Sequence, residues 1–153
     1  MVDAPAVSQL ASHLGYRLRY VSNHVSHAFA RKLEAKGVTV AEWAVLRELY
    51  GEDGVAPSRL AQGLGLTRGA ISKLSDRLVA KDLLVREGNP DDGRARSLSL
   101  SRAGRRLVPK LSALADQNDA EFFADVSEED RSTVERILNS ILQRRGLKSM
   151  AVS

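Results

Sequence analysis

The stretch from Pro57 to Asp76 leaves this chain the fewest options. Pro57 suits the first turn of a helix, where its missing N–H would have no intrahelical acceptor anyway. Gly63 to Leu66 breaks the pattern, and Thr67 is a good N-cap for the helix that follows. Two helices meeting at such a turn need a small residue at their contact and a residue that accepts left-handed backbone angles between them. They also need apolar positions that lock the second helix onto the first. Ala61 serves the contact and Gly65 the turn, while Leu60, Leu64, Leu66, Ile71 and Leu74 supply the lock, all at the required spacing. The expectation is a helix-turn-helix.

Around it the periodicity predicts four more helices and one hairpin. A first helix spans about Ser8 to Lys36, with an apolar stripe at Leu10, Leu14, Leu18, Val21 and Val25, and Gly37 stops it. Thr39 followed three residues later by Glu42 is a capping box for the second helix, with Val38 placed to staple onto Trp43. After the helix-turn-helix, Leu83–Glu87 and Arg96–Leu100 are short strand-like runs. They flank Gly88 to Gly93, a run dense in turn formers that predicts a hairpin loop. Ser101 caps a fifth helix in which Pro109 predicts a kink or a late start. Ser127 opens a sixth, with a wide apolar face at Val134, Ile137, Leu138, Ile141 and Leu142. The fold class is mainly α: about six helices plus a two-stranded β-wing, a winged helix-turn-helix. The stripes of the first and last helices ask for a partner surface. The expected division is therefore residues 1–36 and 107–153 for dimerisation and 37–106 for the winged unit.

The charge is unevenly spread. The chain carries a net +4, yet residues 58–106 hold eleven basic and five acidic side chains, a local +6 between a neutral first part and an acidic last one. Such a patch is the footprint of a polyanion-binding unit. With no cysteine there is no disulfide frame or zinc–thiolate site. Neither a bilayer-length apolar run nor a leader-like start is found, so the expected setting is cytoplasmic, with no membrane partner. No Gly-rich phosphate loop, nucleophile elbow or metal-binding His/Glu motif points to an enzyme, and no cofactor or metal is called for. His24 and His27 stand one turn apart but find only His13 elsewhere. Asp91 and Asp92 have no third ligand nearby.

On the second helix of the motif, Ile71, Leu74 and Leu78 share one face, and Gly69, Ser72, Lys73 and Asp76 lie opposite. A helix in the major groove presents its N-terminal side chains to base edges, where Arg and Lys suit guanine and Ser and Thr adapt to several bases. Thr67, Arg68, Ser72 and Lys73 are therefore base-reading candidates, with Gly69 and Ser58 beside them. Arg77, one turn further along, is placed to hold phosphate or the wing. Arg94 and Arg96 belong to the wing, whose tip can enter a narrow minor groove. Asp92 is placed to brace Arg94. Two other readings use the same fold: a winged-helix module for protein contact, which has no need of the local +6, and a sequence-indifferent architectural DNA binder.

From Val55 to Arg105 the chain resembles the MarR (multiple antibiotic resistance regulator) family of winged helix-turn-helix transcription factors. The matching pieces are Leu60-Ala61 with Leu64-Gly65-Leu66, Ser72-Lys73-Leu74, Asp76-Arg77-Leu78, Pro90-Asp91-Asp92-Gly93-Arg94, Leu98-Ser99-Leu100-Ser101 and Gly104-Arg105. Gly93 stands where many members carry a first wing arginine, and Asp82 replaces the usual glycine after the recognition helix. The resemblance implies a homodimer with intertwined terminal helices, two winged units on a pseudo-palindromic operator, and repression relieved by a small molecule. It also implies a small aromatic or anionic effector between dimer helices and winged unit. Tyr16, Arg17, Tyr20, His24 and Trp43 are the residues here that could line such a crevice.

Overall fold

The structure, a computed structural model, describes residues 4–89 and 92–146, and for residues 89 and 92–95 the backbone alone. Six helices and one hairpin follow in chain order. They are α1 (Leu14–Glu34), α2 (Val40–Leu49), α3 (Pro57–Leu64), α4 (Arg68–Ala80), β1 (Leu84–Asn89), β2 (Asp92–Leu100), α5 (Arg102–Phe123) and α6 (Glu128–Arg144). The predicted fold class is the observed one. Among the described residues no helix is long and apolar enough to cross a membrane.

Cap chemistry sets most of the helix starts. The Thr39 hydroxyl accepts from the Glu42 amide at 3.1 Å, and the Glu42 carboxylate accepts in return from the Thr39 amide at 3.2 Å. Thr67, Ser101 and Ser127 each accept one first-turn amide at 3.0–3.1 Å. These bonds satisfy donors that a helix start otherwise leaves open. The expected start of the first helix at Ser8 is corrected: α1 begins at Leu14, and Leu10–Ser12 form a separate 3-10 turn. The Ser12 hydroxyl donates back to the Gln9 carbonyl at 2.6 Å, and His13 is extended, so no helical path joins the two.

The hairpin reaches further than predicted. Gly88 pairs with Arg96 and Asn89 with Asp92, so most of the expected loop is drawn into the sheet, with a register shift between Gly88 and Asn89. A bulge of this kind absorbs surplus residues of β2 while keeping the ladder closed. Val55 adds a third short edge that the periodicity did not show: its N–H donates to Leu98 O at 2.9 Å and its carbonyl accepts from Leu98 N at 2.8 Å. The late start considered for α5 is likewise corrected, because the helix begins at Arg102 and runs through Pro109. A ring there removes one helical hydrogen bond, which the long flanking turns carry.

One hydrophobic core joins these parts. It takes Leu33 from α1, Val45, Leu46 and Leu49 from α2, Leu60 and Ala61 from α3, and Ile71, Leu74 and Leu78 from α4. Leu84, Leu98 and Leu100 come from the sheet, and Val108 and Leu111 from α5. At Gly104 the first turn of α5 presses against the α4–β1 link so closely that a Cβ would lie 2.3 Å from the Leu83 carbonyl oxygen. Only glycine fits there. In contrast α6 buries none of its residues, and Val134, Ile137, Leu138 and Ile141 remain 37–50% exposed. The N-terminal half of α1 is similar, with Leu14, Leu18 and Val21 at 46–68%.

Candidate nucleic-acid interface

The helix-turn-helix forms as its spacing predicted. α3 ends at Gly65, whose φ of 66° is left-handed, and the Leu66 amide donates to Ala61 O at 2.9 Å. Such a stop leaves Thr67 extended and ready to cap α4. Ile71 and Leu78 are fully buried, Leu74 nearly so, and this fixes which side of α4 faces out. Thr67, Arg68, Gly69, Ser72, Lys73, Asp76 and Arg77 are all exposed, as is Ser58 in the first turn of α3. These predicted reading residues are thus open to solvent, with Arg68 and Ser72 lining one crevice with the hairpin.

α4 closes with a Schellman turn. The Leu83 amide donates to Leu78 O at 2.9 Å and the Asp82 amide to Val79 O at 3.0 Å, with Asp82 at φ 58°. Among the described residues Asp82 is the one non-glycine with positive φ. The departure noted in the sequence therefore falls on a position where glycine is easier.

Hairpin register explains the wing's chemistry. Leu84, Arg86 and Gly88 lie on one face of β1, opposite Leu100, Leu98 and Arg96 of β2. That face is leucine where it covers the core and turns to arginine as the hairpin leaves the body. There it meets α4 across a crevice whose walls include Arg68, Ser72, Ser75 and Asp76 on the helix and Arg86 and Arg96 on the hairpin. Arg86 donates to the Asp76 carboxylate, a pair the sequence reading did not make. The Ser75 hydroxyl is buried and, among the described residues, has no hydrogen-bond partner. Arg96 is exposed, as expected for a wing residue. The side chains of Asp92 and Arg94 lie outside the described residues, so the brace between them is not described.

A second ion pair was also unforeseen. Glu42 is 1% exposed, and the Lys81 ammonium donates to its two carboxylate oxygens at 2.7 and 3.0 Å and to Gly37 O at 2.8 Å. Burial pushes the Glu42 carboxyl up, but the Lys81 and Thr39 hydrogen bonds outweigh it and hold it below its ordinary value. The pair ties the end of α4 to the corner between α1 and α2.

The proposed effector residues fall into two groups. Tyr16, Tyr20 and His24 form a ladder along α1, with ring centroids 6.2 and 4.6 Å apart. Beside them Arg17 donates to Ala11 O at 2.7 Å. Trp43 stands apart, edge-on to Phe29 at 6.2 Å and packed against the core.

A basic, exposed second helix and an arginine-bearing hairpin on one side define a winged helix-turn-helix protein. The sequence model of the MarR family matches residues 36–95. The HTH-type transcriptional repressor MdtR of Bacillus subtilis is 25% identical over 138 residues, covering 90% of this chain and 89% of that protein. In structure the chain is similar to CouR from Rhodococcus jostii bound to p-coumaroyl-CoA, at TM-score 0.77 and 25% identity over 88% of this chain and 95% of that one. It is also similar to MepR of S. aureus in a DNA complex, at TM-score 0.80 and 24% identity over 86% and 98%. Over residues 36–95 the chain thus carries the sequence pattern of the MarR family.

Proposed function

We propose that the protein is a homodimeric, sequence-specific regulator of transcription that binds duplex DNA, represses, and is released by a small molecule. The observation that carries this reading is the outward face of α4. Arg68, Ser72 and Lys73 stand exposed beside the hairpin arginine Arg96, on the part of the chain with the +6 excess. Thr67, Arg68, Ser72 and Lys73, with Gly69, address base edges, while Ser58 and Arg77 hold phosphate and Arg94 and Arg96 reach the minor groove. Asp92 braces the wing. MepR in its DNA complex supports the docking mode through its likeness in fold. The work is binding, not catalysis, and belongs in the cytoplasm with the genome.

Residues 1–36 and 107–153 serve dimerisation and 37–106 the reading of DNA. Because Leu33, Val108 and Leu111 join the core of the winged unit, this is a division of task within one folded body. The uncovered faces of α1 and α6 support a second copy as partner. The tyrosine ladder at Tyr16, Tyr20 and His24, with Arg17 nearby and Trp43 deeper in, supports an aromatic or anionic effector, the class to which CouR's p-coumaroyl-CoA belongs. Selection of bound duplexes from a random pool tests the reading. It should return a pseudo-palindrome with half-sites roughly 10 bp apart, and recovery of random sequence would overturn it in favour of an architectural binder.

A further inference from the structure

We propose that Asp76 determines specificity by holding Arg86 away from the DNA backbone. This rests on α4 and the wing being the DNA-binding surface. Arg68, Arg86 and Arg96 converge on the crevice between α4 and the hairpin, and among the described residues Asp76 is the carboxylate in its wall. Asp76 lies on the exposed side of the recognition helix, its side chain 64% exposed, while Arg86 is 27% exposed and bonded to it.

A guanidinium in hydrogen-bonded contact with a carboxylate has its forked donors partly committed and its charge offset. Phosphate contacts are made equally with every sequence, so each cation left free beside the groove raises affinity for all DNA alike. Specificity is the difference between right and wrong sites, and it is improved by withholding attraction common to both. Asp76 withholds it by occupying Arg86 in a crevice of three arginines.

The test uses the full-length protein with Asp76→Ala and the isosteric Asp76→Asn, each alone and combined with Arg86→Ala. All are titrated against a selected duplex and a scrambled one of equal length, from about 50 to about 200 mM salt. Both Asp76 substitutions should tighten binding to the scrambled duplex by roughly tenfold and steepen its log–log salt slope by about 1, as expected for one added phosphate contact. The selected duplex should gain less, so the ratio between the two falls. Adding Arg86→Ala should return the scrambled-duplex affinity and slope to near wild type. A purely structural role for the pair would not move that slope. Weaker binding to both duplexes would overturn the proposal, as would a gain that survives loss of Arg86 or a change confined to one base pair of the selected site. Failure of the wild-type protein to bind either duplex would instead overturn the DNA-binding reading itself.

Discussion

Gly69 sits exposed in the first turn of α4, and a Cβ built there meets only the Thr67 hydroxyl oxygen, at 3.9 Å. Nothing in the free protein demands glycine at this position, and its backbone freedom weakens the helix. Gly69→Ala should therefore stabilise the fold by about 0.5–1 kcal/mol in thermal or denaturant melts. In the groove the same methyl takes space where the helix N-terminus approaches the bases, and affinity for a selected duplex should fall by roughly tenfold, about 1.4 kcal/mol. Affinity that rises with stability would remove Gly69 from the interface. Asp82 is the reverse case, a side chain held at φ 58° where a glycine would rest more easily. The position stood out in the sequence through the family resemblance, which puts a glycine there. The Asp76–Arg86 pair was not legible, since Asp76 lies on the outward face of a helix and Arg86 within a strand-like run, and their meeting depends on where the hairpin crosses α4.

At the level of elements, the proposed reading divides the labour of recognition between α4 and the hairpin. Lys73→Ala removes a donor from base edges and should relax base preference at a cost of about 1–3 kcal/mol, whereas Arg94→Ala should weaken all duplexes alike and make the salt slope shallower by about 1. Titrations of selected and scrambled duplexes across salt separate the two. Wild-type behaviour from both mutants would displace the reading surface from α4 and the wing.

What holds α4 in place has its own signature in acid. Because the folded protein keeps the Glu42 carboxyl below its ordinary value, the pair's stabilisation is fully present above about pH 4.5 and is lost as pH falls through the lowered value. Lys81→Met should cost about 1–3 kcal/mol, less than a fully buried pair because the lysine side chain is 38% exposed. It should also flatten the acid limb of melting temperature against pH, and an unchanged acid limb would show that the pair does not set it. Elements whose signals are local were legible: caps at Thr39, Thr67, Ser101 and Ser127 and the stop at Gly65 each involve residues within a few positions. The Val55 edge, the Lys81–Glu42 tie and the extended pairing of the hairpin were not. Each joins parts that only the packed core brings together, and turn-forming residues from Gly88 to Gly93 do not forbid a ladder that includes a bulge.

At the scale of the whole molecule, the exposed apolar stripes of α1 and α6 fit the proposed second copy. Ile137→Asp with Ile141→Asp places charge on the face of α6 that the proposed second copy covers, and light scattering should then report a monomer. Its operator affinity should drop by about a hundredfold or more as two linked half-site contacts become one. A dimer that survives both substitutions would assign its interface elsewhere.

In the proposed dimer the apolar stripe of α6, left 37–50% exposed by its own chain, is covered by a second copy, so abundance enters the folding equilibrium directly. Dilution then leaves that stripe open to water, and more copies shift each molecule toward the covered, more stable state. On the proposed function, repression would then depend steeply on synthesis rate, because the step that covers α6 also brings the second reading head to the operator.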